Sequence, residues 1–289
     1  MITLPSDVVV SEPAELMRIA LAQIKPGSDL DENRRSAVEF MEQAADRGAN
    51  LIVFPELALH RFFPQHPADK EAATLAEPIP GPTTDLLVEE ARRLNLVTVF
   101  NLYERDEAGR CFDSSPVIDA DGTLLGVTRM VHIADFPGFH EQAYYHPGDS
   151  GAPVYETRGG RVGVAICYDR HYPEYMRALG AQNAEIVVIP QAGVVDEWPD
   201  GLYEAEVRTA AFQNGYFAAL CNRVGKEDRL AFAGESFVAD PDGAIIARAA
   251  RGEEELLLVD CDLEICSRST ARRLFWRDRR PELYGDWLK

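Results

Sequence analysis

A cysteine at the end of an apolar run is the residue of this sequence best placed to do chemistry. Cys167 ends the segment Val162-Gly-Val-Ala-Ile-Cys167, and a polar stretch then leads to Pro173. The pattern predicts a buried strand, a turn and a helix, so the thiol would lie at a strand tip, where a rigid sheet fixes the backbone. A thiol there can act as a nucleophile; the alternative is a small buried hydrophobic residue.

A glutamate occupies a similar position earlier in the chain. In the segment Asn50-Leu-Ile-Val-Phe-Pro-Glu-Leu57, Glu56 follows an apolar run and Pro55. A strand that is apolar on both faces is typical of a sheet covered on each side. A carboxyl group at its end is partly desolvated, which raises its pKa and suits a general base. The alternative is an exposed loop glutamate.

The elements that would position these residues alternate between strands and helices, which predicts an α/β fold. No Gly/Ser linker, repeat or low-complexity stretch divides the chain, so a single domain is expected. Helices are predicted at 31–47, 83–94, 173–180 and 203–214. Strands are predicted at 18–24, 51–54, 96–102, 117–120, 124–128, 154–156, 161–166, 186–190 and 217–222, and a last pair turns at Asp242-Gly243.

These segments and several others resemble the carbon–nitrogen hydrolase (nitrilase) superfamily almost from end to end. Phe54-Pro-Glu-Leu57 is similar to its glutamate motif, and Ile166-Cys-Tyr-Asp169 is similar to its nucleophile motif. The remaining similar segments are the first strand Met17–Gln23, the loop Phe139–Asp149, the late segments Ala211–Gly215, Asn222–Gly225 and Gly234–Gly243, and the tail Arg277–Gly285, which resembles the carbamoyl-amidase branch.

The resemblance implies a four-layer α-β-β-α sandwich and hydrolysis of nonpeptide C–N bonds through a Glu, Lys and Cys triad. Glu56 would be the general base and Cys167 the nucleophile that forms a covalent intermediate. Glu141 would position Glu56 or the substrate nitrogen, and the backbone N–H of Tyr168 would donate to the oxyanion. No metal or organic cofactor is implied.

The resemblance also implies a domain organisation and a self-association. Residues 1–15 would form an N-terminal extension, residues 16–267 the carbon–nitrogen hydrolase domain and residues 268–289 a C-terminal tail. The tail interleaves arginines with Leu274, Phe275 and Trp276, so we expect it to pack against a second copy in a homodimer or higher oligomer. The alternative for the tail is a charged surface.

One position departs from the pattern of the family. After the Asp-Gly turn, family members usually have Arg-Lys-x-His, whereas this sequence has Arg129-Met-Val-His132. An ammonium group at Met130 would stabilise the oxyanion and favour the thiolate of Cys167, and a thioether does neither. The sequence therefore predicts impaired activity, either in a naturally inactive member or through an introduced substitution.

A neighbouring residue is one candidate to replace the missing lysine. Strand side chains alternate between faces, so Arg129 should point away from the site, while His132 should share the face of Met130. A relocated lysine would require the loop at Lys226 to fold inward. The four lysines of the chain all lie outside the matching segment: Lys25, Lys70, Lys226 and Lys289.

The segment after Cys167 carries the substrate inference. Tyr168-Asp-Arg-His-Tyr-Pro-Glu174 resembles the branch that acts on N-carbamoyl amino acids, in which an arginine such as Arg170 can bind a substrate carboxylate through two hydrogen bonds. The alternative for Arg170 is an ion pair with Glu174. The tail also occurs in the N-carbamoylputrescine branch. A noncatalytic binding protein of this fold is the third alternative.

The amino-acid composition limits the classes of partner that this protein is expected to bind. The chain of 289 residues has 29 basic and 48 acidic side chains and a net charge of −19, without a basic stripe, which argues against nucleic acid and anionic membranes. No run approaches the length of a membrane span, and no signal segment is evident, so a cytoplasmic protein is expected. Five cysteines without CxxC spacing predict neither a disulfide framework nor a zinc site.

Overall fold

The computed structural model describes residues 16–69 and 71–287, so the predicted extension 1–15 and Lys70 lie outside the described residues. The strands are β1 (Met17–Gln23), β2 (Leu51–Val53), β3 (Val97–Val99), β4 (Leu102–Arg105), β5 (Cys111–Ile118), β6 (Leu124–Arg129), β7 (Val154–Thr157), β8 (Gly160–Val164), β9 (Ile186–Gln191), β10 (Phe217–Asn222), β11 (Val224–Lys226), β12 (Ala231–Ala233), β13 (Phe237–Ala239), β14 (Ile245–Arg248) and β15 (Glu255–Cys261). The helices are α1 (Leu30–Asp46), α2 (Pro82–Leu94), α3 (Pro173–Ala181), α4 (Leu202–Asn214), α5 (Glu264–Arg268), α6 (Thr270–Leu274) and α7 (Pro281–Trp287).

Two mixed sheets of similar layout form the centre of the fold. The first has the order β15-β1-β2-β3-β5-β4, with β6 also paired to β5. The second has the order β14-β13-β10-β9-β8-β7. In each sheet a parallel trio, β1-β2-β3 or β8-β9-β10, is flanked by antiparallel strands. The parallel strands bring their carboxyl ends, and the residues that follow them, to the same edge of the sheet.

The side chains of each strand alternate between its two faces, so the apolar residues of the core form separate layers. On β1, Ile19 and Leu21 belong to an apolar cluster shared by the two sheets, while Ala20 and Ala22 belong to a second cluster with Met41 of α1. A third cluster joins the outer face of the second sheet to α3 and α4. Successive side chains of a strand face opposite ways, so helices cover each sheet and the two sheets pack face to face. The predicted four-layer α-β-β-α sandwich is therefore confirmed.

Most predicted elements are present, and several boundaries are corrected. The expected strand 96–102 is interrupted after Val99, and the chain resumes as β4. The strand β15, which was not predicted, pairs antiparallel with β1 at the edge of the first sheet. The predicted hairpin at Asp242-Gly243 is confirmed, with Gly243 in the left-handed region at φ 81°. The tail, predicted only as a contact segment, begins at the last residue of α5 and contains α6 and α7.

Membrane insertion through a helix has no structural basis in the described part of the chain. Across residues 16–69 and 71–287, the helices lack the combination of length and apolar character that a membrane-spanning helix needs.

Candidate active site

Cys167 lies in the sharp turn that follows β8. Ala165 continues the pairing with β9 by donating to the carbonyl of Val188 at 3.0 Å, and a short 3-10 helix then begins at Cys167. The backbone of Cys167 has φ 44°, a left-handed conformation that is uncommon for a residue with a side chain and that clusters at functional sites. The turn directs the thiol into the interior, where Gln191 Nε2 donates to its Sγ at 3.2 Å.

Glu56 follows β2 and lies beside Cys167. Its side chain is fully buried, and no N–H donor of the protein reaches either carboxyl oxygen. Burial and, next, the charge of Glu141 raise the pKa of Glu56 to about 8, although contacts with Cys167 and Asp113 act in the opposite direction. A carboxyl group that titrates near neutral pH next to a thiol has the properties of a general base.

Two more buried carboxyl groups share this pocket. Glu141 accepts from the backbone N–H of Ala134 at 3.3 Å through Oε2, and Asp113 accepts from Asn101 Nδ2 at 2.5 Å through Oδ1. Burial raises the pKa of both carboxyl groups well above the usual range, and neighbouring negative charge raises each pKa further. Like charges cannot all ionise in one desolvated pocket, so part of the cluster retains its protons at neutral pH.

The thiol itself is held in its neutral form. Burial raises the pKa of Cys167 well above its usual value, and the charges of Glu56 and Glu141 act in the same direction. Arg170 lowers the pKa of the thiol, but less than burial raises it. The thiol of Cys167 therefore carries little thiolate in the free protein.

Met130 lies directly opposite Asp113. The register of β5 and β6 pairs Ser114 with Arg129, and the N–H of Met130 donates to the carbonyl of Asp113 at 2.9 Å. Met130 is fully buried in the apolar cluster that contains Cys167. Its carbonyl accepts from Gly148 at 2.7 Å, and a Cβ on Gly148 would lie 2.3 Å from the carbonyl oxygen of Arg129, so a glycine is required there.

Arg129 and His132, on either side of Met130, each pair with a carboxylate. Arg129 points away from the site and pairs with Glu104. Strand alternation does not extend to His132, because β6 ends at Arg129. His132 Nδ1 lies 2.7 Å from Asp169 Oδ1, and its ring stacks on Tyr172 at 3.5 Å between centroids. Its role is thus to join the segment after β6 to the turn that carries Cys167.

Within the described part of the chain, no lysine from another segment replaces the one that is missing at position 130. Lys226 lies on β11 and is exposed, so the loop that carries it does not fold inward. Lys25 is exposed as well. Lys70 and Lys289 lie outside the described residues.

Arg170 is buried behind the turn that carries Cys167. Its Nη1 donates to the carbonyl of Cys167 at 3.1 Å, and its guanidinium group lies 4.3 Å from the ring centre of Tyr203. The ion pair is with Glu206 at 3.6 Å and not with Glu174 as one alternative predicted. Nε and Nη2 have no hydrogen-bond partner in the protein. The ring of Tyr168 packs against His171 at 5.0 Å between centroids.

Sequence reasoning missed four residues that complete the site. Arg223 is fully buried and donates to the carbonyls of Glu56, Leu57 and His60 at 3.0, 3.2 and 2.9 Å. It also donates to Glu227 Oε1 at 2.6 Å. Arg223 therefore connects the segment after β2 to the segment after β10. The others are Asp113, Tyr145 and Gln191. Gln191 and Arg223 could have been found, because each ends or follows a parallel strand of the second sheet.

The described residues offer no evident metal centre. Within residues 16–69 and 71–287, no three His, Cys, Asp or Glu side chains form a group that could hold a metal ion.

The layers and the buried site together define an α/β enzyme of the α-β-β-α sandwich class. Residues 18–270 match the family described as Carbon-nitrogen hydrolase, and the chain belongs to that family, whose members hydrolyse nonpeptide C–N bonds.

Named relatives agree with this assignment. The chain is 34% identical to N-carbamoylputrescine amidase of Solanum lycopersicum, over 95% of this chain and 96% of the relative. It is 32% identical to citrullinase of Francisella tularensis, over 94% and 98% of the two chains. The crystal structure of a carbon–nitrogen hydrolase from Helicobacter pylori superposes with a TM-score of 0.89 at 29% identity, covering 95% of this chain and 99% of that one.

The raised pKa of Glu56 predicts that the folded protein loses stability as the pH rises. The unfolded chain releases this proton near pH 4.5, and the folded chain holds it to about pH 8. Between these values the folded state binds the extra proton, so the contribution of Glu56 to the free energy of unfolding is fully present below about pH 4.5 and is lost towards pH 8. Glu56→Gln should flatten the slope, as measured by thermal unfolding across this range. An unchanged slope would contradict the assignment.

Proposed function

We propose that this protein hydrolyses the C–N bond of a linear amide or ureido compound with Cys167 as the nucleophile. The observation that carries the proposal is the contact between a buried thiol in a strained turn and Glu56, a buried carboxyl group whose pKa is raised to about 8. A buried base in contact with a thiol is the arrangement that covalent catalysis by a thiol requires.

The proposed reaction has two halves. Glu56 takes the proton of Cys167, an Sγ–C bond forms, and the C–N bond breaks as Glu56 returns the proton to the leaving nitrogen. A water molecule, deprotonated by Glu56, then attacks the acyl- or carbamoyl-enzyme and releases the thiol. Glu141 positions Glu56 or the substrate nitrogen, and the backbone N–H of Tyr168 donates to the oxyanion.

The substrate inference rests on two opposing observations. Arg170 Nη2 has no hydrogen-bond partner in the protein and Nε has only the ion pair with Glu206 at 3.6 Å, which supports an N-carbamoyl amino acid whose carboxylate Arg170 would bind. The relatives named N-carbamoylputrescine amidase support an amine-bearing ureido compound instead. A noncatalytic binding protein is the remaining candidate, and the apolar Met130 beside the thiol favours it.

Met130 should limit the rate on such substrates. We propose that it stands where the family has its lysine, so that the oxyanion of an amide or ureido adduct forms without a cation beside it. Loss of one oxyanion donor costs about 100- to 1,000-fold in turnover.

Ammonia release tests the proposal directly. N-carbamoyl-β-alanine, N-carbamoyl-D-amino acids, N-carbamoylputrescine and citrulline would be supplied to the parent protein and to the variants Met130→Lys, Cys167→Ala and Cys111→Ala. We expect Met130→Lys to raise turnover by about 100- to 1,000-fold. Cys167→Ala should be inactive, whereas Cys111→Ala, the matched buried control on β5, should retain activity.

Two outcomes would contradict the proposal. Activity that survives Cys167→Ala would exclude the thiol as the nucleophile. If neither the parent nor Met130→Lys released ammonia from any substrate while both proteins were folded, the noncatalytic binding protein would be favoured.

We further propose a cytoplasmic homo-oligomer with the tail as the contact. Leu274 and Phe275 of the tail are 57% and 37% exposed, an unusual exposure for large apolar side chains, and a second copy would cover them. Five buried free cysteines suit a reducing compartment. Light scattering of the parent and of Leu274→Glu would test the contact, and an unchanged mass would contradict it.

A further inference from the structure

The pocket around Cys167 has an excess of hydrogen-bond acceptors. Glu56 contacts Cys167 and Asp113, but no N–H donor of the protein reaches four buried carboxyl oxygens: Oε1 and Oε2 of Glu56, Oδ2 of Asp113 and Oε1 of Glu141. Buried polar atoms are almost always paired, so four carboxyl oxygens without an N–H donor in one buried cluster are suited to accept hydrogen bonds from a donor-rich ligand. The charge of Arg223 reaches Glu56, but its Nη1 and Nη2 are already committed to backbone carbonyls and Glu227.

Two neutral side chains of the same pocket are also incomplete. Gln191 is 1% exposed and donates to the Cys167 thiol, while its Oε1 has no partner. Tyr145 is 4% exposed, and its hydroxyl has no partner although it lies among Glu56, Asp113 and Glu141, whose charges raise its pKa beyond the effect of burial. Gln191 thus adds an unpaired acceptor beside the thiol, and Tyr145 adds an unpaired hydroxyl beside the carboxyl groups.

Met130 restricts which electrophile suits this pocket. A thiolate that adds to a neutral amide or urea creates an oxyanion, which Met130 leaves without a cation and the carboxyl groups would repel. A thiolate that adds to an amidinium carbon instead cancels the substrate's positive charge and gives a neutral adduct. In that case a lysine at position 130 would hinder substrate binding by repelling the substrate.

We propose that the site takes a linear guanidinium or amidinium compound and hydrolyses it to the corresponding ureido or amide product and ammonium. This inference rests on the proposed role of Cys167 as the nucleophile. The planar cation would donate its N–H groups to Glu56, Asp113 and Glu141, since carboxylates match the fork of such a cation with parallel, charge-assisted hydrogen bonds.

The cation must lie at the reacting carbon and not at the far end of the substrate. The carboxyl groups of Glu56 and Glu141 are neighbours of Cys167 itself, and Asp113 contacts Glu56. The ammonium group of an amine-bearing ureido compound lies several bonds away from its ureido carbon, so it would not reach these oxygens while that carbon contacts the thiol. A cationic carbon centre satisfies both requirements at once.

The reaction balances without a further reagent. The bound cation favours transfer of the Cys167 proton to Glu56, and an Sγ–C bond forms to give a neutral tetrahedral adduct. One C–N bond then breaks, ammonia leaves with the proton from Glu56, and the C=N bond re-forms as a thiouronium or thioimidate cation on the enzyme. Water adds to that carbon, its proton passes to Glu56, and the thiol leaves. In sum, the cation and one water give the urea or amide and one ammonium ion.

A cavity nearby has the charge that such substrates need. Tyr203, whose ring contacts Arg170, lines a cavity of about 300 Å³. Two arginines on its wall, Arg248 and Arg251, form ion pairs with acidic neighbours. The wall also holds the acidic residues Asp196, Glu197, Asp200, Glu204 and Glu235. A surface with an excess of carboxylates raises the local concentration of cations.

Matched substrate pairs that differ only at the reacting group test the inference. The pairs are 3-guanidinopropionate with N-carbamoyl-β-alanine, arginine with citrulline, and 4-guanidinobutylamine with N-carbamoylputrescine. We expect the parent protein to convert at least one guanidino member with a kcat/KM about 100-fold or more above that of its ureido partner. Met130→Lys should reverse this order, and Asp113→Asn should lower the guanidino activity more than the ureido activity.

Alkylation gives a readout that does not depend on turnover. The cation 2-chloroacetamidine and the neutral 2-chloroacetamide are nearly equal in shape, and intact-mass analysis with peptide mapping reports the labelling of Cys167. The parent should be labelled faster by the cation, by about tenfold or more, and Met130→Lys should lose that preference. Circular dichroism confirms that each variant is folded.

The outcomes separate this inference from the proposed function. Ureido members hydrolysed through Cys167, by the parent or by Met130→Lys, with inert guanidino members and no preference for the cationic label, would overturn the inference and leave the proposed function standing. Guanidino hydrolysis that persists in Cys167→Ala would overturn both.

Discussion

Glu56→Gln is expected to lower turnover by about 100- to 10,000-fold, the range that a positioned general base contributes. Glutamine preserves the size of the side chain and removes its ability to accept a proton from Cys167. The thiol has a raised pKa and contacts Glu56, so without this base the thiolate would form rarely at neutral pH. The same variant also loses the base that activates water in the second half of the reaction.

The pH dependence of kcat/KM tests the role of Glu56 as a base more directly than turnover at a single pH. Glu56 must be ionised to act as a base, so activity should fall as the pH drops through about 8, the pKa of the free protein. The residual activity of Glu56→Gln should not show this fall at lower pH. Glu89→Gln, on the exposed side of α2, is the matched control and should leave both rate and profile unchanged. Turnover within tenfold of the parent in Glu56→Gln would exclude this role.

Arg223→Met is expected to lower the free energy of unfolding by about 3–5 kcal/mol, the cost of breaking a buried ion pair on one side. The substitution leaves Glu227 as an unpaired buried carboxylate and removes donors from the carbonyls of Glu56, Leu57 and His60. Those carbonyls belong to the segment that holds the Glu56 side chain in place. Catalytic activity should therefore fall together with stability.

Urea unfolding of three variants would isolate the ion pair. Arg251→Met, at a largely exposed arginine, is the matched control and should cost less than about 1 kcal/mol. The double variant Arg223→Met with Glu227→Gln should recover part of the loss, because no buried charge is then unpaired. A loss below about 1 kcal/mol in Arg223→Met would show that the pair contributes little to the fold.

The elements that the sequence predicted well are those whose pattern is local. The parallel strands are short apolar runs bounded by turns, so β1, β2, β9 and β10 were found within a residue or two of their ends. By contrast, β15 pairs with β1 across most of the chain, and a local window carries no sign of that pairing. In β5 only the part from Val117 was predicted, because Asp113, Ser114 and Ser115 are polar residues buried inside a strand.

In the site, too, residues within local sequence patterns were predicted and residues that depend on long-range pairing were not. Glu56, Cys167 and Glu141 were predicted, and the structure places them together in one buried pocket. Asp113 was missed, although the Asp121-Gly122 turn sets a register that places it opposite Met130. His132 was assigned to the wrong surroundings, because alternation was extended past the end of β6 at Arg129. Whether a strand continues depends on tertiary partners, here the contact of His132 with Asp169.

The burial of every cysteine determines how this protein responds to oxidants and to handling. All five are free thiols inside the fold: Cys111, Cys167, Cys221, Cys261 and Cys266. Burial raises the pKa of Cys261 and of Cys266 to about 12, so these groups have little of the thiolate that peroxide or oxygen attacks. The native chain therefore resists intermolecular disulfide formation during storage without reductant, and the number of thiols open to a bulky disulfide reagent reports what fraction of a preparation is damaged.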